Sequence, residues 1–304
     1  MNIKEIEPTT QKNIHDNIFE EDLGIVVDDL VNLIFREVNE GKEEFVRKRH
    51  VLEYIKNHNI NLQEIYNWLL NNQNDSNSIY LLGYFNHYEI KTNLDKKRAF
   101  ELYAKAASLE NNLAKFSLAY MYEDGEGGCK DHDKAFELTK KLAEDGHSGG
   151  INLLGYCYYN GIGTNIDTQK AFKLYQKAAS LGNPKSQYNL ALMYEAGIFE
   201  NNNNKAFELC KKSAEGGYSG GINLLAYYYN FGIGTKVDIE KAFELYQEAA
   251  NLGNCDAQNN LAFLYERGNG VEKDINQAIY WYKKSAKQGS SIAQNKLIEL
   301  LAED

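Results

Sequence analysis

The sequence predicts an all-α protein built as a solenoid of helix pairs, and three observations predict it. An alanine recurs at Ala99, Ala135, Ala171, Ala206, Ala242 and Ala278, at steps of 36, 36, 35, 36 and 36 residues, and a second alanine follows each one, from Ala107 to Ala286. Self-similarity at this period marks stacked units, none of which buries its apolar face alone. Each copy also carries its own helix punctuation. Asp95, Asp131, Asp167, Asn202, Asp238 and Asp274 precede the aligned alanine at a fixed offset, where a short side-chain oxygen can accept from an orphan N–H of the first turn. Gly146, Gly182, Gly217, Gly253 and Gly289 follow it at a fixed offset, where left-handed backbone ends a helix. Only Glu110, in the first copy, departs from glycine there. Between these signals, small and apolar residues recur at helical spacing, as at Ala171, Leu174, Tyr175, Ala178 and Ala179.

Taken in order, residues 1–22 are polar and lack periodicity, so a mobile tail is expected. Residues 23–76 are expected to form an N-terminal helical cap. Its first helix places Val26, Val27, Leu30, Leu33, Ile34 and Val38 on one face and breaks at Asn39-Glu40-Gly41. The second runs from about Lys42 to Asn57, and Asn61 caps a third that carries Leu62, Ile65, Trp68 and Leu69. A solenoid exposes an apolar end unless something covers it. Residues 77–291 then hold six repeats. In each, helix A carries a core leucine (Leu82, Leu118, Leu154, Leu190, Leu225, Leu261) followed by Gly or Ala, and helix B carries the alanines. Tyr122, Tyr158, Tyr194, Tyr229 and Tyr265 lie one turn after their leucines. Residues 292–304 are expected to cap the other end with Leu297, Leu300 and Leu301.

Two irregularities stand out. Ser148–Asn183 and Ser219–Asn254 are nearly the same sequence 71 residues apart, which suggests duplication of a two-repeat unit. In the fourth copy, Phe199-Glu200-Asn201-Asn202 replaces the usual Gly-x-Gly loop, and a local change in superhelix geometry is expected there.

The pattern Leu154, Gly155, Tyr158, Gly161, Gly163, Asp167, Lys170, Ala171, Tyr175, Lys177, Ala178, Ala179 and Gly182 resembles the Sel1-like repeat family, kin of tetratricopeptide repeats. The resemblance covers about Ser78 to Ser291. It implies a right-handed superhelix of antiparallel helix pairs acting as a scaffold or adaptor for partner proteins. Glu37 through Tyr84, with Arg47-Lys48-Arg49-His50 and the run Ile60 to Leu70, resembles a linker in expanded fungal Sel1-repeat families, where it often joins a protein kinase domain to the repeats. No kinase motif occurs here. That likeness implies a regulatory companion of a kinase as an alternative role, with signalling as its setting.

Composition excludes several classes. A net charge of −10 opposes nonspecific attraction to nucleic acid or anionic membrane. No apolar run reaches the roughly 18–20 residues of a spanning helix, and the N-terminus lacks a hydrophobic signal segment, so a cytoplasmic or nuclear location is the default expectation. Cys129, Cys157, Cys210 and Cys255 occupy different repeat positions and read as isolated thiols. The six histidines lack metal-site spacing, and the Gly-x-Gly pairs follow a helix and not a strand, so they read as turns. No catalytic, cofactor or metal site is expected. The basic run Arg47-Lys48-Arg49, mixed with glutamates, reads as a solvated face.

A partner surface is expected on the concave face lined by helix A. Two residues after the core leucine stand Tyr84, Tyr120, Tyr156, Tyr227 and Phe263; two before it stand Tyr80, Phe116, Asn152, Tyr188, Asn223 and Asn259. Tyrosine joins apolar area to a polar tip, and asparagine can bond a peptide backbone. The alternative for the same tyrosines is packing between repeats. With Arg267 as almost the only cation on this face, a neutral or basic peptide or helix is the expected ligand.

Overall fold

The computed structural model describes residues 20–302. Most of the expected tail, residues 1–19, lies outside the described residues, and α1 begins at Glu20. The described residues form sixteen helices and no strand. Helices α1 (Glu20–Asn39), α2 (Glu44–Asn57) and α3 (Leu62–Asn71) come first. Six antiparallel A/B pairs follow: α4 (Ser76–His87) with α5 (Lys96–Ser108), α6 (Asn112–Asp124) with α7 (His132–Glu144), and α8 (Ser148–Asn160) with α9 (Thr168–Ser180). Then come α10 (Pro184–Glu195) with α11 (Asn203–Glu215), α12 (Ser219–Phe231) with α13 (Ile239–Asn251), and α14 (Cys255–Arg267) with α15 (Ile275–Lys287). Helix α16 (Ser291–Leu301) ends the chain, and the pairs wind as a right-handed α-α superhelix.

The caps explain where the B helices lie. Each of Asp95, Asp131, Asp167, Asn202, Asp238 and Asp274 accepts a hydrogen bond from the backbone N–H three residues on. This satisfies one donor that the helix itself leaves orphaned. The glycine column closes the same helices with positive φ, and Glu110 adopts φ 63° in its place, so the backbone demand persists where the glycine is missing. The A–B turns are equally constrained. A Cβ on Gly163 would lie 2.2 Å from the His132 carbonyl oxygen of the preceding repeat, which only glycine tolerates.

Neighbouring repeats are joined by an aromatic ladder. Phe100, Phe136, Phe172, Phe207 and Phe243 meet Tyr122, Tyr158, Tyr194, Tyr229 and Tyr265 edge to face, with centroids 5.1 to 5.7 Å apart. Each such pair contributes about 0.5–1.5 kcal/mol beyond its buried area. Lys134, Lys170, Lys205 and Lys241 cover the outer faces of four of these tyrosines.

At the irregular fourth copy, residues of α9, α10 and α11, Leu190 and Tyr194 among them, line a cleft of about 610 Å³, and the Phe199 and Phe172 ring centroids are 4.7 Å apart. At the C-terminal end, Leu297 and Leu300 pack onto the last core. Leu301, expected to join them, is exposed beside Ile298, because it sits at the edge of the inner stripe in the last turn.

Candidate interaction surface

The A-helix face changes character along its length. In the column two residues after the core leucine, Tyr84 is 1% exposed, whereas Tyr156, Tyr227 and Phe263 are 38%, 37% and 42% exposed. Tyr120 and Leu192 lie between these extremes. In the companion column Tyr80 is buried, while Phe116 and Tyr188 are half-buried. The same residue types at the same register thus end as core in the first repeat and as surface in the fifth and sixth.

The N-terminal helices cause the difference. Helix α1, about 30 Å long by its 20 residues, packs against α4 and extends to α8. Asp28 accepts from Asn77 Nδ2 at the first repeat, and the Phe35 ring meets His147 at the start of α8. The turn after α1 continues along the array. The Asn39 carbonyl accepts from Ser148 Oγ at 2.7 Å and from Asn183 Nδ2 at 3.1 Å, and its side-chain oxygen accepts from the Gly149 N–H. Lys42 Nζ donates to the Gly216 carbonyl, and Ser219 Oγ donates to Glu43 Oε1 at 2.6 Å. One strap therefore ties the third, fourth and fifth repeats. Helix α2 folds back against α1, where His50 Nδ1 and Glu37 Oε1 are 2.5 Å apart. Helices α1 to α3 share one core with the first two repeats. They do more than cover the end of the stack.

Sequence order alone did not signal this strap, although a local signal existed. Helices α8 and α12 open with Ser-Gly-Gly, where the other A helices open with side chains. A Cβ on Gly149 would lie 3.0 Å from the Val38 carbonyl oxygen. Paired glycines at a helix start signal close backbone approach, and here the approaching backbone is the end of α1.

Helix α2 also corrects the charge reading. Arg49 is exposed near Glu53, as expected for a solvated face. Arg47 instead turns inward and lines a cavity of about 270 Å³ with Tyr88, Phe116, Tyr120 and Lys185. Its Nε is buried with no hydrogen-bond partner among the described residues. Lys185 also lines the adjoining cavity of about 410 Å³, among Tyr120, Tyr156, Tyr188 and Tyr218. Burial, and after it the charge of Arg47, push the Lys185 pKa down to about 8, against the pull of Glu43 and Glu44. The face therefore holds two inward cations besides Arg267. One is contributed by a helix outside the repeats and was invisible to repeat alignment.

The asparagines are largely engaged within the array. Asn152 Oδ1 accepts from Ser186 Oγ at 2.8 Å and Asn189 Nδ2 at 3.3 Å, and Asn223 Oδ1 accepts from Asn260 Nδ2 at 3.1 Å. This inter-repeat ladder stops at Asn259, because the matching position of α16 is Lys296. Asn259 Oδ1 is buried without a partner among the described residues. Of the cysteines, burial pushes the Cys157 thiol up to about 11 and Cys210 higher still, as for inert core thiols. Among the described residues no cluster of His, Cys, Asp or Glu is arranged to hold a metal, and no helix is long and apolar enough to cross a membrane.

Comparison with known proteins agrees with this architecture. The Sel1 repeat pattern matches residues 76–111, 112–147, 149–183, 184–218, 220–254 and 255–290. A Sel1 repeat protein from Oxalobacter formigenes is 28% identical, with a TM-score of 0.65 over 79% of this chain and 98% of that one. A protective antigen of uropathogenic Escherichia coli with an SLR fold is 27% identical, with a TM-score of 0.53 over 92% of this chain and 67% of that one. An immunity protein from Pseudomonas aeruginosa, at 21% identity and a TM-score of 0.54 over 72% of this chain and 82% of that one, shares the fold. No match was found among curated proteins.

Proposed function

The chain belongs to the Sel1 repeat family, and we propose that it is a non-enzymatic adaptor that holds a peptide or helical segment of a partner protein on its A-helix face. Sel1 repeats generally mediate protein–protein interaction. The observation that carries the reading is the uncovered aromatic series Tyr156, Tyr227 and Phe263 on α8, α12 and α14. Aromatic side chains that keep a surface position in a repeat array supply large contact area at low entropic cost. Tyr80 and Tyr84 take no part, because the protein's own helices lie over them.

The test is capture of partners from a cell lysate by the full chain beside a Tyr227→Ala/Phe263→Ala double variant of equal helical content. Proteins retained by the wild type and lost by the variant support the reading. Identical capture removes it. In that case the outward face of α2 becomes the candidate, where Phe45 is exposed beside Lys48, Arg49 and Leu52. That face is the surface a kinase-type regulatory partner would meet.

A further inference from the structure

The cleft between α2 and the A helices contains a feature that peptide holding by aromatic residues does not need. Arg47 and Lys185 come from units 138 residues apart in sequence and converge on one cavity. Both side chains are half-buried and neither has an ion-pair partner among the described residues, although Lys185 Nζ lies 5.8 Å over the Tyr218 ring and Arg47 Nε is fully enclosed. Buried cations are ordinarily paired, because removing a charge from water is costly.

We propose that this cleft is an oxyanion site, in which Arg47 and Lys185 hold a carboxylate or phosphoryl group carried by a peptide lying along the A-helix face. The inference rests on the adaptor reading and deepens it by naming the charge that the ligand brings. Two of the acids around the cleft are engaged elsewhere. Glu126 receives Lys96 Nζ at 2.5 Å and stands 3.3 Å from His87 Nε2, and Glu43 accepts from Ser219. Glu44 and Asp124 remain in the lining as the opposing charges, and Glu123 lines the adjoining cavity beside Tyr156. The planar guanidinium of Arg47 suits two oxygens of one group, and Lys185 adds a point charge. The adjoining cavity, walled by Tyr120, Tyr156, Tyr188 and Tyr218, accommodates the residue that bears the anion. The depressed affinity of Lys185 for its proton is the expected condition of such a site before its anion arrives.

The test uses the full chain with its lysines carbon-13 labelled at Cε, so that Lys185 is followed by NMR while inorganic phosphate or, separately, acetate is added. Saturable binding is expected, with the Lys185 titration midpoint rising by about half a unit or more, since a bound anion favours the charged form. Arg47→Gln is expected to weaken binding about tenfold or more, while Lys48→Gln on the outer side of α2 leaves it unchanged. A response to acetate assigns the carboxylate as a ligand, and a response to phosphate assigns the phosphoryl group. A Lys185 resonance indifferent to both anions, or one that responds equally in Arg47→Gln, overturns the proposal. If Arg47→Gln does not fold, calorimetric titration of phosphate and acetate into Lys185→Gln replaces it, and persisting binding heat overturns the proposal equally. The test does not involve Tyr227 or Phe263, so its failure and that of the adaptor reading are distinguishable.

Discussion

Two residues after the core leucine, the A helices of the first two repeats and of the last two all carry an aromatic residue. In α4, Tyr80 and Tyr84 lie beneath the N-terminal helices, and Tyr84 Oη is buried with no hydrogen-bond partner among the described residues. In α12 and α14, Tyr227 and Phe263 meet solvent. The difference teaches that a repeat column specifies a direction, not an environment. What lies in that direction is decided by chain outside the repeats. Here α1 and α2 lie over the first repeats, and their connecting turn runs on to the fifth while leaving Tyr156, Tyr227 and Phe263 open.

The comparison is broken most strongly by exchanging each tyrosine for alanine. Tyr84→Ala is expected to cost about 3–5 kcal/mol, the range for truncating a large buried aromatic. Tyr227→Ala is expected to stay within about 1 kcal/mol. Urea unfolding followed by circular dichroism checks both, and equal losses would erase the distinction between the halves.

A second variant lifts the strap. Gly149→Val drives a side chain toward the Val38 carbonyl oxygen, at an expected cost of about 1–3 kcal/mol. Amide hydrogen exchange should accelerate across residues 35–45, while α12 and α14 keep their protection. Faster exchange in α14 alone would show that the strap is not what was displaced.

The third test concerns charge. Lys185 has a pKa of about 8 in the folded chain, against about 10.4 for an unperturbed lysine. The unfolded chain therefore binds this proton more tightly. The penalty is fully present below pH 8 and is relieved as pH rises toward 10.4. In buffer free of phosphate and carboxylates, Lys185→Met should be about 3 kcal/mol more stable than wild type at pH 7, with the gap closing by about pH 10.5. Unfolding curves at the two pH values decide it, and a gap independent of pH contradicts the burial of this charge.

The smallest expected effect sharpens the comparison by lying outside it. Asp167→Ala removes a cap on α9, far from the strap, and should cost about 1 kcal/mol with no change in the accessibility of either half. Thermal unfolding measures the loss.

The helix pairs were legible because their determinants are local. A capping oxygen, a positive-φ position and a 3.6-residue periodicity each act within one or two turns, and Glu110 shows the backbone rule holding without its usual residue. The face was half legible for the complementary reason. Tyr84 and Tyr227 are equivalent to any local rule, and only the packing of α1 to α3 into one core with the first two repeats separates them. Arg47 was misjudged likewise, since besides Glu44 it faces Tyr88, Phe116, Tyr120 and Lys185, which come from the repeats. The asparagine ladder was missed because its partners sit one repeat on, at a different offset from the leucine.

Hydroxyl-radical footprinting of the full chain, read by mass spectrometry, tests the two-part face most directly. The account predicts rapid oxidation of Tyr156, Tyr227 and Phe263 and protection of Tyr80 and Tyr84, with Tyr120 between. Oxidation of Tyr80 and Tyr84 at the rate of Tyr227 would mean that the N-terminal helices do not cover the near half, and would contradict the account.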